Sequence, residues 1–349
     1  MTQESGDISP NPREVGAEAA SQQPEKFYTG ISIDRSNSTA RLIEDAIRDN
    51  HGRVPYSRVM DISLLGPDGY YSAGKADIRE DVREEGDFLT FPTREPFNQS
   101  VGESVVKVWE AMGRPDTFQV IEMGAGTGIM AKDMLVWARE NNPEFYSALS
   151  YVILEYGDLR EKQQATIGED KREGIDRDRQ ITPEENASDL VKVQWVQGAA
   201  TELETHFRDV EGVFLSNELP DTFPAEFVKK IGGAVKQKYV TLENDQWVEV
   251  WDDPSEEVSE YIATYEIVLA ENSVEEPINL NAAKWQKQMD KALRRGAVIT
   301  IDYGKNGETN EDADRLARRI FPRPPHGQNE RVEYSNAGNY YQQYKFCSS

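Results

Sequence analysis

The clearest chemical signal in the chain is a glycine-rich run that follows a β-prone segment and precedes a helical one. Its members are Glu122, Gly124, Ala125, Gly126 and Gly128. Glycines tolerate positive φ and let backbone N–H groups come close to a ligand, so we predict that these residues bind a cofactor. A dinucleotide fingerprint needs its third glycine at the sixth position, where this chain has Ile129. A structural turn that binds no ligand is the plain alternative.

A second candidate is Glu155, which closes the next β-prone run, Tyr151–Leu154. In sheets of this kind, a carboxylate at that place can accept two hydrogen bonds from the hydroxyls of a ribose. We therefore predict that Glu155 binds the cofactor. The alternative is an exposed glutamate at the end of a strand.

A third group follows the run Gly212–Ser216 and consists of Asn217, Glu218 and Asp221. Two carboxylates and an amide at the ligand-bearing edge of a sheet would suit a cationic or polar acceptor. We predict that these three residues are catalytic. Asn217 is also an ordinary turn residue, which leaves a structural role open.

Five β-prone runs separated by helical segments predict an α/β fold with a mainly parallel sheet. The runs are Phe118–Glu122, Tyr151–Leu154, Val191–Val196, Gly212–Ser216 and Ala297–Ile301. We place the core of this Rossmann-like domain in residues 116–224 and its C-terminal part in residues 291–349.

Residues 225–290 interrupt the core between the fourth and fifth strands. Alternation around Gly232-Gly233 and Asn244-Asp245 predicts a meander of three antiparallel strands. Two helices follow, near 255–270 and 280–295, the second ended by Gly296 at its C′ position. We interpret this α+β insertion as a candidate lid over the active-site edge of the sheet.

The N-terminal part divides into two predicted regions. Residues 1–30, rich in Ser, Pro, Gln and Glu, predict a disordered tail. Residues 31–115 predict an extension of helices and loops.

Composition excludes several classes of function. With 39 Lys and Arg against 63 Asp and Glu, the net charge is -24, which disfavours a nucleic-acid partner. The single Cys347 and three scattered histidines predict no metal site. No apolar run approaches the ~20 residues of a membrane helix, and no signal peptide is visible, so we expect a cytoplasmic protein without a membrane partner. The oligomeric state stays open.

Together the motifs resemble the MidA (DUF185) family of class I methyltransferases, which depend on S-adenosylmethionine. The resemblance is carried by Gly69-Tyr70-Tyr71-Ser72, Gly86-Asp87-Phe88-x-Thr90-x-Pro92, Glu122-x-Gly124-x-Gly126-x-Gly128-x-x-x-x-Asp133, Glu155-Tyr156-Gly157-x-Leu159-Arg160-x-x-Gln163, Asn217-Glu218-x-x-Asp221-x-x-Pro224 and Ile301-Asp302-Tyr303-Gly304. It implies that the glycine run wraps the methionine end of S-adenosylmethionine. It also implies that Gly86, Asp87 and Thr90 lie near the cofactor or the acceptor.

The mitochondrial branch of that family is a protein arginine methyltransferase that assists assembly of respiratory complex I. The resemblance thus implies methylation of arginine on a protein partner, with Asn217, Glu218 and Asp221 near the transferred methyl group. From their place after the fourth strand, we assign Glu218 as the carboxylate that accepts the proton and Asp221 as its helper. A small-molecule O- or N-methyltransferase and a cofactor-binding assembly factor with little or no catalysis are the alternatives.

The chain departs from the family in places. Thr222 and Gly157 replace the usual Ala and Ser, and only 45 residues follow Gly304, without a visible pattern for the last two strands. We therefore expect a C-terminal part that is either shortened or divergent in sequence.

Overall fold

The computed structural model describes residues 25–32, 35–72, 78–79, 88–89, 95–168, 189–271, 274–303, 331–336 and 340–347. The strands are β1 Glu25–Ser32, β2 Arg53–Pro55, β3 Ile78–Arg79, β4 Phe88–Leu89, β5 Phe118–Met123, β6 Leu149–Glu155, β7 Val193–Gln197, β8 Val210–Asn217, β9 Glu226–Ile231, β10 Ala234–Glu243, β11 Gln246–Asp252, β12 Glu276–Ile278, β13 Leu293–Tyr303, β14 Arg331–Asn336 and β15 Tyr340–Cys347. The α-helices are α1 Ser38–Asp49, α2 Tyr56–Leu65, α3 Glu95–Ala111, α4 Ile129–Asn141, α5 Pro143–Ala148, α6 Arg160–Gly168, α7 Glu256–Thr264 and α8 Leu280–Ala292.

A central sheet of seven strands has the order β14-β15-β13-β8-β5-β6-β7. The five strands from β13 to β7 are parallel, as predicted. Four of the predicted β-prone runs lie in them, and the fifth overlaps β7 from Val193, because Val191 and Lys192 form a turn before it. From β5 the chain builds outward through β6 and β7 on one side, then through β8 and β13 on the other. Strand order therefore reverses between β5 and β8, and ligands bind at the carboxyl ends of strands beside such a reversal.

Helices cover both faces of the central sheet. On one face α3, α4 and α5 bury Trp109, Met134 and Phe145 against the strands. On the other, α8 buries Trp285 and Met289. Burial of each such side chain contributes about 1.5–3 kcal/mol, so the two layers fix the orientation of the sheet edge between them.

A second, antiparallel sheet has the order β1-β11-β10-β9-β12, with β2 also paired to β10. Its meander β9-β10-β11 confirms the predicted one. Gly232 and Gly233 have φ of 58° and 84°, and Asn244 and Asp245 have 50° and 60°. A type I′ hairpin turn requires two consecutive left-handed residues, which Gly, Asn and Asp tolerate best. The two residue pairs therefore predict both turns from the sequence. The function of this insertion as a lid stays a prediction.

The prediction of a disordered tail over residues 1–30 is wrong for Glu25–Gly30, which belong to β1. This strand pairs with β11, with Tyr28 opposite Val248. The extension 31–115 likewise supplies β2 to the same sheet, in addition to its helices. The partner strands β11 and β10 are about 200 residues away along the chain, so local composition could not predict these pairings. Residues 1–24 lie outside the described residues.

The first alternative for the C-terminal part, that it is shortened, is also wrong for the sheet. The tail supplies β14 and β15, and β15 pairs antiparallel with β13 along its length. An unpaired edge on the apolar β13 would expose a row of backbone donors and acceptors, which β15 satisfies. Its aromatic-rich sequence from Tyr340 to Phe346 is β-prone.

Gly296 does not end the preceding helix, because α8 ends at Ala292 and Gly296 lies inside β13. It pairs with Gly212 of β8, which in turn pairs with Gln119 of β5. A Cβ atom on Gly296 would lie 1.8 Å from the carbonyl oxygen of Gly212. Glycine is needed here because two backbones approach closely.

We expect Gly296→Ala to lower the free energy of unfolding by about 3 kcal/mol, since a strand must shift and φ is 141°. Urea denaturation measures this loss. Gly232→Ala is the matched control, because φ is also positive there but no atom lies within 4 Å of the added Cβ. Its cost should be about 1 kcal/mol. Equal losses in the two variants would contradict the close-approach argument.

Candidate functional site

The glycine-rich loop joins β5 to α4 and contains three left-handed glycines. Gly124, Gly126 and Gly128 have φ of 69°, 55° and 83°. Gly128 is the N-cap of α4 and offers no side chain to the first amide groups of the helix. These N–H groups and the positive end of the helix dipole thus remain available at the carboxyl edge of the sheet.

The loop is held between two neighbouring segments. A Cβ on Gly124 would lie 3.0 Å from Cδ1 of Leu219, which follows β8. A Cβ on Gly128 would lie 3.3 Å from Cα of Gln163 in α6. Close packing and positive φ together favour glycine at both positions, in addition to any ligand. Gly124 also donates its N–H to the carbonyl of Leu154, at 3.0 Å.

Glu155 ends β6, next to this loop, with its carboxylate held by protein donors. Oε1 accepts the backbone N–H groups of Tyr156 and Gly157, at 3.0 and 3.3 Å. Oε2 accepts Nε2 of Gln163 at 3.0 Å. Burial raises the pKa of Glu155, and the three hydrogen bonds oppose that shift. A carboxylate has about four acceptor positions, so this one retains capacity for one further donor.

Glu122 is buried within the sheet, away from solvent. Its carboxylate accepts the phenol of Tyr151 at 2.7 Å, and only 3% of the residue is exposed. Burial raises the pKa of Glu122 to about 7, the hydrogen bond from Tyr151 lowers it, and the charge of Glu155 raises it further. The carboxylate thus has a structural partner inside the protein, and its predicted contact with a cofactor stays a prediction.

The third group lies at the carboxyl end of β8, across the strand reversal from the glycine loop. Glu218 has φ of 48°, and its N–H donates to Ile301 of β13 at 2.8 Å. Asn217 donates from Nδ2 to Oε1 of Glu218 at 3.4 Å. Its Oδ1 is buried and has no hydrogen-bond partner among the described residues. The left-handed conformation of Glu218 is a form of backbone strain that clusters at functional sites. The unmatched buried Oδ1 of Asn217 is a second feature that calls for an explanation, such as a bound ligand.

Asp221 lies in the short 3₁₀ helix Pro220–Thr222, and the insertion holds this turn. Asn279, the N-cap of α8, donates from Nδ2 to the carbonyl of Pro220 at 2.9 Å. The predicted catalytic residues thus share one strand end and its turn.

Sequence analysis named Tyr71 only within the motif Gly69–Ser72 and assigned it no role in the site. Burial raises the pKa of Tyr71, and the negative charge of Asp221 raises it further, so the two side chains are close. A Cβ on Gly157 would lie 2.9 Å from the carbonyl of Tyr71, and Tyr156 donates its phenol to Leu65 at 2.8 Å. The N-terminal extension therefore packs along this edge of the sheet.

Gly86, Asp87 and Thr90 lie outside the described residues, so their predicted place near the cofactor stays a prediction. In the part of the chain that the structure describes, no cluster of three His, Cys, Asp or Glu residues could hold a metal ion. Nor does any helix there have the length and apolar character needed to cross a bilayer.

Comparison with known proteins decides the family. The model of a family described as S-adenosyl-L-methionine-dependent methyltransferases, Methyltransf_28, matches residues 100–323, which is more than half of the chain. This chain belongs to that methyltransferase family. The resemblance to the MidA (DUF185) family is confirmed, and the matched residues include the glycine loop, Glu155 and the Asn217 group.

Individual relatives of the methyltransferase agree with this assignment. A protein arginine methyltransferase NDUFAF7 homolog, mitochondrial, from Drosophila melanogaster is 37% identical over 86 residues, covering 24% of this chain and 18% of the relative. The mouse protein arginine methyltransferase NDUFAF7, mitochondrial, is 26% identical over 203 residues, covering 55% of this chain and 43% of the relative. The chain thus spans less than half the length of these two curated relatives.

The methyltransferase fold is supported by a crystal structure from Burkholderia thailandensis that contains bound S-adenosyl-homocysteine. It superimposes with a TM-score of 0.59 at 24% identity, covering 77% of this chain and 62% of that one. The predicted Rossmann-like α/β fold is therefore confirmed.

The raised pKa of Glu122 makes the stability of the methyltransferase dependent on pH. Folded Glu122 keeps its proton up to about pH 7, whereas the ordinary value is 4.5. Between these values the folded state binds the extra proton, so the free energy of unfolding falls as pH rises. We expect Glu122→Gln to remove about 3 kcal/mol of this fall.

Urea denaturation at about pH 5 and about pH 7.5 measures the difference between wild type and Glu122→Gln. Glu103→Gln, at an exposed position in α3, is the control and should retain the wild-type pH dependence. The same fall in Glu122→Gln as in wild type would show that Glu122 is not the group responsible.

Proposed function

We propose that this chain transfers a methyl group from S-adenosylmethionine to an arginine nitrogen on a protein partner. The observation that carries the choice of acceptor is the buried Oδ1 of Asn217, which lacks a hydrogen-bond partner among the described residues. An unmatched buried acceptor costs about 1–3 kcal/mol, a penalty that a ligand N–H would remove. A guanidinium offers five N–H donors and accepts none.

The cofactor part of the proposal depends on backbone groups and one carboxylate. S-adenosylmethionine supplies a methyl group bound to positively charged sulfur. The left-handed glycine loop and the uncapped start of α4 suit its amino-acid end, and the remaining acceptor position of Glu155 suits a ribose hydroxyl. Both lie on the same carboxyl edge as Asn217, beside the strand reversal.

The proton balance assigns a role to Glu218. Transfer would form an N–C bond while the S–C bond to the methyl group breaks and S-adenosylhomocysteine leaves with the electron pair on sulfur. Because arginine has a pKa above ~12, its nitrogen must also lose a proton in this step. We assign Glu218 as the carboxylate that orients the guanidinium and accepts that proton, with Asp221 assisting. Tyr71, next to Asp221, adds a neutral hydroxyl at the same place.

The choice of a protein as acceptor rests on different support. The curated relatives from fly and mouse are named protein arginine methyltransferases. The net charge of -24 would attract a basic protein surface. The predicted cytoplasmic location has no structural support and stays a prediction.

We expect Glu218→Gln to lower kcat by about 10²–10⁴-fold, because the amide cannot accept the proton. The dissociation constant for S-adenosylhomocysteine should stay unchanged, since Glu218 is assigned to the acceptor. Glu211→Gln, at the opposite end of the same strand, is the matched control and should keep full turnover. Full turnover in Glu218→Gln would refute the assignment of the base.

The acceptor can be identified by adding the protein and methyl-labelled S-adenosylmethionine to a cell lysate. We expect label on arginine of a protein, and much less with Glu218→Gln. Label on a small molecule instead would contradict the protein acceptor. If the chain binds the cofactor but labels nothing, a non-catalytic assembly function replaces the proposal.

A further inference from the structure

Gln163 connects three parts of the candidate cofactor site through one buried carboxamide. The side chain is 0% exposed. Its Nε2 donates to the carbonyl of Gly126 at 3.1 Å and to Oε2 of Glu155 at 3.0 Å. Its Oε1 accepts Nε1 of Trp195 at 3.1 Å. Both donor hydrogens of the carboxamide and its acceptor are therefore used.

The orientation of this carboxamide follows from the chemistry of its neighbours. The indole of Trp195 can only donate, whereas a carbonyl and a carboxylate can only accept. Rotating the carboxamide by half a turn would set donor against donor at Trp195 and acceptor against acceptor at Gly126 and Glu155. Trp195 thus determines that Nε2 faces the glycine loop and Glu155.

We propose that Gln163 is a positioning residue that fixes Glu155 for a cofactor ribose, with Trp195 orienting Gln163. The inference rests on the proposed cofactor site. The N–H groups of Tyr156 and Gly157 occupy Oε1 of Glu155, and Gln163 occupies one acceptor position of Oε2. The remaining position of Oε2 then points in one defined direction.

The same carboxamide sets the spacing between two halves of the site. Gly126 belongs to the loop after β5, and Glu155 belongs to the end of β6. Nε2 of Gln163 lies about equally far from both acceptors, at 3.1 and 3.0 Å. Gln163 therefore maintains the distance between the glycine loop and the carboxylate of Glu155, which a ligand that contacts both of them must match.

The test is Gln163→Met, which keeps an unbranched stem against Gly128 but removes the carboxamide. Calorimetric titration compares S-adenosylhomocysteine with its 2′,3′-dideoxy analogue, which lacks the ribose hydroxyls. We expect the variant to bind S-adenosylhomocysteine roughly tenfold or more weakly, the value of a hydrogen bond to a charged group. Its affinity for the analogue should match that of the wild type within about twofold.

Gln237→Met is the matched control for loss of a buried carboxamide. Gln237 is also 0% exposed, donates to Oε2 of Glu226 at 2.9 Å and accepts from Ser255 N–H at 2.8 Å. It lies in β10 of the second sheet, so its replacement should alter stability without altering the ratio of the two affinities.

Equal weakening of both ligands by Gln163→Met, or no weakening of either, would overturn the positioning role. If Gln163→Met does not fold, Trp195→Phe decides, because it removes only the donor that orients the carboxamide and the same ligand-selective loss is expected. A wild-type protein that binds neither ligand would refute the proposed cofactor site, and the inference with it. Wild-type binding that is lost equally from both ligands leaves the cofactor proposal intact and refutes the inference alone.

Discussion

The requirement to satisfy buried polar groups governs the part of the carboxyl edge of the central sheet that surrounds Gln163. A buried amide or carboxylate without partners costs several kcal/mol, and a network is stabilising only when all its members are matched. The carboxamide of Gln163 meets this condition by bonding to Gly126, Glu155 and Trp195 together. The glycine loop, the end of β6 and β7 therefore cannot move independently, and a site built on them has a defined shape before any ligand arrives.

Several acidic side chains lie at or near the same edge, and burial changes the pKa of two of them. Burial raises the pKa of both Glu122 and Glu155, and the charge of Glu155 contributes to the shift of Glu122. Glu218 and Asp221 stand across the strand reversal. A cation bound next to a carboxylate stabilises its charged form. A sulfonium and a guanidinium are both cations, so the electrostatics of the edge suit the pair of substrates proposed.

The second sheet joins two regions that are far apart in sequence. Residues 25–65 supply β1, β2 and the helices α1 and α2, and the insertion supplies β9 to β12. Gln237 donates to the buried Glu226 at 2.9 Å, and Ser57 of α2 also donates to this carboxylate. Because the Ser57 contact and the pairing of β2 with β10 join the two regions, the insertion could act as a lid only by moving together with the extension. The extension also contacts the carboxyl edge of the central sheet, where Tyr156 donates to the carbonyl of Leu65.

The sequence by itself determined the features that depend on neighbours along the chain. Glycine spacing located the glycine-rich loop, β-prone runs located the five parallel strands, and alternation around Gly232-Gly233 and Asn244-Asp245 located the meander. These signals are readable because φ preferences and side-chain periodicity are local. Only the tertiary structure decided the pairing of β1 with β11 and of β15 with β13, the strand position of Gly296, and the meeting of Gln163 with Trp195. These depend on contacts between segments separated by tens to hundreds of residues, whose energy exists only once the chain has folded.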